Sequence, residues 1–86
     1  MKRWLVHFEH CSDDRYNYGR VLDQEADAWA WAAAVALIFQ DRCEDSWQDL
    51  MWEAFKKGDH PEVVRLFCED QNRGGDCTLQ VREVPS

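Results

Sequence analysis

The stretch "DAWAWAAAVALIF", residues 27–39, decides the fold because it is the most apolar part of an otherwise polar chain. No charged or hydrophilic side chain occurs from Ala28 to Phe39, whereas 31% of all residues are charged. The run is shorter than the ~20 residues that span a bilayer, and acidic segments flank it, which argues against a membrane span. Its alanine content predicts a helix, and a helix that is apolar on every side is normally buried on every side.

The segments before this run predict two strands and the start of the helix. In "KRWLVHFE", residues 2–9, Trp4, Val6 and Phe8 alternate onto one face. After the turn-rich "HCSDDRYNYG", the segment "YGRVLD" predicts a second strand antiparallel to the first. The helix is expected to begin near Asp23 or Gln24, where the acids of "DQEAD" suit the positive end of the helix dipole, and to continue to about Arg42.

The rest of the chain predicts a helical hairpin over residues 46–70 and a final strand. Ser46 with Asp49 resembles a capping box, and Gly58 is a suitable helix stop. The third helix is expected to start at Asp59 or His60, with Pro61 in its first turn. "CTLQVREV", residues 77–84, has strand alternation, and pairing beside the first strand is its simplest placement.

These elements predict an α+β fold of order ββαααβ with a three-stranded antiparallel sheet. We expect one compact domain over residues 1–86, with the helical hairpin inserted before the last strand. The sheet would cover one side of the alanine- and tryptophan-rich helix and the hairpin the other, which leaves that helix buried between two layers.

The excess of acidic over basic residues limits the classes of partner that the chain is expected to bind. The chain carries 17 acidic and 10 basic residues, for a formal charge of −7. Because phosphate contacts need lysine and arginine, direct binding to nucleic acid is not expected. An acidic surface serves solubility or binds a basic partner.

The acids fall into three groups along the chain. In an antiparallel hairpin the start of the second helix and the end of the third are neighbours, so five of these carboxylates are expected to form one patch. Such a patch would mimic the phosphates of a nucleic acid and occupy a basic groove, whereas the alternative is an ordinary charged surface. The groups are Asp13 with Asp14, then Glu44, Asp45 and Asp49, and finally Glu69 with Asp70.

Three aromatic residues are further candidates for partner binding. Trp52 falls about 100° from the middle of the apolar stripe of its helix, so it is either an exposed contact residue or packs under the loop at 10–18. Tyr16 and Tyr18 in that loop are amphipathic and suit contacts at a tip.

The sequence offers little for catalysis or metal binding. The four cysteines, Cys11, Cys43, Cys68 and Cys77, are widely spaced, and without an export signal they read as reduced, buried thiols in cytoplasm. His7 and His10 lie near Cys11, but an odd spacing on a strand puts the two histidines on opposite faces. We therefore expect no metal site, no cofactor and no enzymatic activity, since no nucleophile, base and phosphate loop come together.

The succession of "KRWLVHFEH", "GRVLDQEADAWAWAAAVA" and "CTLQVREV" in a short acidic chain resembles small proteins of phages and mobile elements, among them anti-CRISPR inhibitors. The resemblance is one of overall pattern rather than of a motif. It implies a non-enzymatic inhibitor in the bacterial cytoplasm that binds a nucleoprotein defence effector, such as a CRISPR complex, and blocks its nucleic-acid or recruitment site. Two alternatives stay open: an interaction module or obligate homodimer that uses the tryptophan-rich surface, and an acidic antitoxin or regulator that neutralises a basic partner.

Overall fold

The computed structural model describes residues 2–11 and 16–85, which form strands and helices in the predicted order ββαααβ. The predicted contact residues Asp13 and Asp14 lie outside the described residues. The elements are β1 (Arg3–His10), β2 (Tyr18–Leu22), α1 (Glu25–Ile38), a short 3-10 turn (Gln40–Arg42), α2 (Asp45–Lys56), α3 (His60–Asn72) and β3 (Cys77–Val84).

The three strands form an antiparallel sheet with β1 in the centre, so the predicted pairing of the last strand beside the first is confirmed. Val6 lies opposite Val81 and Phe8 opposite Leu79. Val6 and Phe8 are fully buried, because alternate side chains of β1 point toward the helices. The other face of the sheet is more open, with His7 half-buried there.

Helix α1 crosses the sheet and also packs against α3. Four of its six buried residues are alanines, which let the backbones approach closely: Ala28, Ala32, Ala33 and Ala36. The expectation of burial on every side needs a correction, because Ala34 is exposed and Ile38 is 71% exposed. No other described element covers this strip of α1.

The helix also ends earlier than predicted, at Ile38 rather than near Arg42. Phe39 leaves the helical conformation with φ −102° and ψ 19°, and its ring stacks on Phe8 with 4.4 Å between centroids. This contact joins the end of α1 to the centre of the sheet. The chain then makes the 3-10 turn and becomes extended at Cys43.

Helices α2 and α3 form the predicted hairpin. Gly58 adopts a φ of 75° at the turn, as its place after α2 predicted. Asp59 caps α3 by accepting a hydrogen bond from the Glu62 N–H at 3.2 Å, and Pro61 lies in the first turn.

The start of α2 differs from the prediction. Ser46 lies inside the helix, and Glu44 occupies the N-cap position without a side-chain cap of its own. Instead, the Glu44 N–H donates to Asp70 Oδ2 of α3 at 3.3 Å. A side chain from the neighbouring helix therefore replaces the expected local cap, because it is held close by the packing of the hairpin.

A bilayer span would require a longer apolar helix than any in the described part of the chain, where the longest helix has 14 residues.

Candidate functional site: an acidic and aromatic face on the second helix

Trp52 differs from the other four tryptophans, all five of which lie within the described residues. The other four are half-buried against the hydrophobic core, whereas Trp52 on α2 is 41% exposed. The question that the sequence left open is thereby settled in favour of an exposed indole. The four that pack against the core are Trp4, Trp29, Trp31 and Trp47.

The exposed indole of Trp52 is held in a defined position. Its Nε1–H donates to Gln40 Oε1 at 2.7 Å, which ties α2 to the 3-10 turn. On its other side the ring meets Phe55 edge to face, with 5.9 Å between centroids. Phe55 in turn stacks on His60 at 5.7 Å, so the two helices of the hairpin present one row of rings. An indole fixed in this way loses little conformational entropy when a partner covers it.

Two exposed carboxylates share the face of α2 that carries Trp52. Asp45 and Asp49 precede the tryptophan by seven and three residues, so at 100° per residue the three side chains lie within one narrow stripe. Asp45, Asp49 and Trp52 are called here the acidic-aromatic face. Both carboxylates are exposed, and within the described residues neither forms an ion pair.

The surroundings of this face are also acidic. Residues 41–53 contain five carboxylates and a single cation, Arg42. The first turn of α2 and the turn before it therefore carry a concentrated negative charge. The helix dipole favours this charge at the N-terminus of α2, so part of it serves helix stability.

The remaining acids of the predicted patch have other roles. Asp70 is buried, where Oδ2 accepts from the Glu44 N–H and Oδ1 accepts from Gln71 Nε2 at 3.1 Å. Both of its oxygens are thus used by hydrogen bonds within the fold, and little of the side chain is accessible to a partner. Glu69 is half-buried and forms ion pairs with Arg65 at 2.6 Å and with Arg73 at 3.8 Å.

The two helix ends do meet, as the hairpin predicted, but the charge between them is mixed. Glu44 and Asp70 line a polar cleft together with Arg42 and Arg73. The Arg73 guanidinium also lies 5.1 Å above the Trp47 ring. The expected patch of five carboxylates is therefore interrupted by guanidinium groups, and its uninterrupted part is the outer face of α2.

The two tyrosines of the predicted loop lie in different surroundings. Tyr16 packs against the core, with its ring edge to face on Phe39 at 5.5 Å. Tyr18 is 40% exposed and lines an apolar groove of about 210 Å³ with Trp31 and Ile38. Sequence reasoning did not find this apolar groove, because the exposure of Ile38 depends on where the neighbouring elements end.

Three of the four thiols are at least half-buried, and Cys11 is exposed, which differs from the expectation of four buried thiols. Burial raises the pKa of Cys43 to about 12 and, with help from the Asp76 carboxylate, that of Cys77 to about 11. Burial likewise raises the pKa of Cys68.

One group of side chains in the described part of the chain could hold a metal ion: His10, Asp76 and Cys77. His10 Nε2 lies 3.3 Å from Asp76 Oδ2, and Cys77 Sγ lies 3.6 Å from Asp76 Oδ1. His7, on the other face of β1 as predicted, is not a member. Little in the sequence pointed to this group, because His10 and Cys77 are far apart in the chain and meet only through the pairing of β1 with β3.

Comparison of this chain with protein-family models, with curated proteins and with solved structures finds no match.

Proposed function

We propose that this protein is a non-enzymatic inhibitor that binds a nucleoprotein effector of bacterial defence through the acidic-aromatic face of α2. The observation that carries the proposal is Trp52, the one tryptophan that does not pack on the core, which Gln40 and Phe55 hold on the same helix face as the exposed Asp45 and Asp49. The CRISPR effector as target class rests on the resemblance of the sequence to anti-CRISPR proteins.

Two features of this arrangement would contribute to the free energy of binding. An exposed, preorganised tryptophan is the kind of residue that dominates interfaces once a partner pocket covers it. Asp45 and Asp49 add a negative field that steers association toward a basic groove. A groove that ordinarily holds phosphates fits both, because it is basic and bordered by surfaces on which bases stack.

The test is affinity capture with the tagged full chain from a bacterial lysate that contains CRISPR and other defence systems, with and without nuclease. We expect recovery of one nucleic-acid-processing complex that is lost as ionic strength rises. The Trp52→Ala variant and the Asp45→Asn, Asp49→Asn double variant should each reduce its recovery by at least ~10-fold, as hot-spot losses of about 1.4 kcal/mol or more predict.

Matched controls keep the result specific. Leu50→Ala removes another exposed apolar side chain of the same helix, and Glu9→Gln with Glu83→Gln removes two carboxylates from the sheet. Both controls should bind like the wild type. An equal loss of recovery in the controls would mean that binding depends on the overall negative charge or on the stability of the fold. Full binding by the two α2 variants would refute the proposal. Recovery of a toxin in place of a defence complex would favour the antitoxin alternative.

A homodimer is the second candidate, and the exposure of Ile38 favours it. The apolar groove of Tyr18, Trp31 and Ile38 would be covered by its counterpart in a second copy of the chain. Sedimentation at several concentrations tests this: a dimer that persists at high salt and dissociates with Ile38→Asp supports it. A monomer at all concentrations would exclude the groove as a self-association surface.

A further inference from the structure

We propose that His10, Asp76 and Cys77 form a zinc site at the end of the β1–β3 pair. The three residues are not part of the acidic-aromatic face, so the inference is independent of the proposed function. The site would bind Zn²⁺ through the His10 imidazole, one carboxylate oxygen of Asp76 and the thiolate of Cys77.

The separations of the donor atoms match such a site. His10 Nε2 to Asp76 Oδ2 is 3.3 Å, Cys77 Sγ to Asp76 Oδ1 is 3.6 Å, and one donor atom from each residue lies within 4.8 Å of the others. Around a tetrahedral zinc ion, with bonds of about 2.0–2.3 Å, neighbouring donor atoms are roughly 3.3–3.8 Å apart. The two short distances run to different oxygens of Asp76, so closing on an ion requires the carboxylate to turn and the donors to draw together from within 4.8 Å.

The backbone holds the three residues rigidly. His10 and Cys77 are directly paired across the two strands, and Asp76 immediately precedes β3. The ladder continues one residue further, since the Cys11 N–H donates to the Asp76 carbonyl at 2.7 Å. A site built on paired strands is positioned more accurately than one on a loop, which reduces the cost of ordering the ligands.

The burial of the donors suits a metal site that opens to solvent on one side. The His10 side chain is 3% exposed and Cys77 is 7% exposed, whereas the Asp76 side chain is 36% exposed. An ion can therefore reach the carboxylate from solvent and then be held by the two buried donors. Exclusion of water from those donors strengthens their interaction with a cation.

The donor set selects the class of metal. One nitrogen, one sulfur and one oxygen donor suit zinc, whereas magnesium and calcium need oxygen donors throughout. A tetrahedral ion has a fourth position, which a water molecule would take, because among the described residues no fourth donor side chain lies with the three. Binding displaces the proton of the Cys77 thiol to the buffer.

Within the described residues, Arg42 is a cation that faces the site. Its Nη1 lies 3.6 Å from Asp76 Oδ2 and competes with an ion for that carboxylate. Removal of its charge, with Arg42→Gln, should raise the zinc affinity by at least several-fold. A purely structural role of the His10–Asp76 contact would give no such gain.

The experiment uses the full chain, reduced and freed of metal, with Co²⁺ as a spectroscopic substitute for zinc. We expect one equivalent of Co²⁺ to produce a thiolate-to-cobalt charge-transfer band and visible bands of tetrahedral type, both lost when Zn²⁺ is added. Competition between the metals gives the zinc affinity. Absence of the charge-transfer band in the wild-type chain would overturn the proposal, whatever the variants do.

Variants separate a true site from adventitious thiol binding. Cys77→Ser should abolish the charge-transfer band, and Asp76→Asn should lower the zinc affinity by at least ~10-fold. Cys68→Ser is the matched control, because its thiol donates to the Leu79 carbonyl away from the site, and it should leave the band unchanged. Cys11→Ser is a second control, because the Cys11 thiol is not among the donor atoms that meet, and it should likewise leave the band unchanged. A band retained by Cys77→Ser, or lost in Cys68→Ser alone, would contradict the site.

Discussion

At the scale of single residues, Glu69 and Asp70 show how two adjacent acids on one helix come to have different surroundings and roles. Glu69 is paired with arginines at the surface, whereas Asp70 is buried and caps α2. A buried carboxylate is tolerated only when its oxygens have partners, and here both oxygens accept hydrogen bonds. Asp70 thus joins the two helices of the hairpin at the end opposite to Gly58.

We expect Asp70→Ala to destabilise the fold by about 1–3 kcal/mol, because the Glu44 N–H and the Gln71 amide lose an acceptor. Urea unfolding followed by far-ultraviolet circular dichroism measures this. Glu69→Ala is the matched control and should change the free energy of unfolding by no more than about 1 kcal/mol, since its ion pairs are at the surface. Equal effects of the two substitutions would contradict the capping role of Asp70.

The sequence contained a signal for the burial of Asp70 but little for the zinc site. Asp70 continues the apolar stripe of Val63 and Phe67 at helical spacing, so its burial could have been predicted from the period alone. The meeting of His10 with Cys77 depends on the register of two strands that are far apart in the chain. A one-residue shift of that register would place the two side chains on opposite faces.

At the scale of elements, α1 shows why a run of alanines suits the centre of the molecule. Ala32 and Ala33 are fully buried, whereas the next residue, Ala34, is exposed. Small side chains let α1 lie close to both the sheet and α3, so little room is left for a larger residue on the buried side. Tolerance to substitution should therefore change sharply between neighbouring positions.

We expect Ala33→Leu to destabilise the fold by about 1–3 kcal/mol through overpacking, and Ala34→Leu to change stability by less than about 0.5 kcal/mol. Leucine and alanine have similar helix propensities, so the comparison isolates packing. Thermal unfolding of both variants is the measurement. A tolerated leucine at position 33 would show that α1 packs less tightly than the complete burial of Ala33 indicates.

Most elements could be predicted because their signals are local. The alternation in β1 and β3, the cap at Asp59 and the stop at Gly58 each follow from the chemistry of a few neighbouring residues. The predictions failed where a distant residue decided the outcome. Asp70, and not Ser46, provides the side-chain acceptor at the start of α2. At the end of α1, Phe39 leaves the helical conformation and stacks on Phe8.

At the scale of the whole molecule, the charge is distributed unevenly. Residues 41–53 carry five carboxylates and one cation, whereas the three strands carry three arginines and only two carboxylates, Glu9 and Glu83. The net charge of −7 is therefore not spread evenly. Such a molecule presents α2 toward a basic partner during approach, which is why ionic strength distinguishes the two proposed modes of association.

Stability should fall in alkaline solution, because three thiols keep their protons longer in the folded chain than in the unfolded one. Cys43, Cys68 and Cys77 all have a raised pKa, with Cys43 at about 12 and Cys77 at about 11. Above pH about 9 the unfolded thiols ionise while the folded ones do not, so the unfolded state becomes favoured as pH rises.

Urea unfolding between pH 8 and 11, with reductant and a metal chelator present, checks this dependence. Cys43→Ala should make the decline of the free energy of unfolding less steep, because it removes one of the buried thiols. Cys11→Ala is the control, since that thiol is exposed, and should leave the slope as in the wild type. Identical slopes for all three proteins would show that Cys43 keeps an ordinary pKa on folding.

The uneven burial of the four thiols also gives the native chain a built-in attachment point. Reagents such as maleimides attack the thiolate, so burial and a raised pKa protect Cys43, Cys68 and Cys77, whereas Cys11 is open to solvent. A fluorophore can therefore be attached at one position without altering the sequence. Because Cys11 borders Asp76 at the end of the sheet, a dye there would act as a local reporter of events at that end.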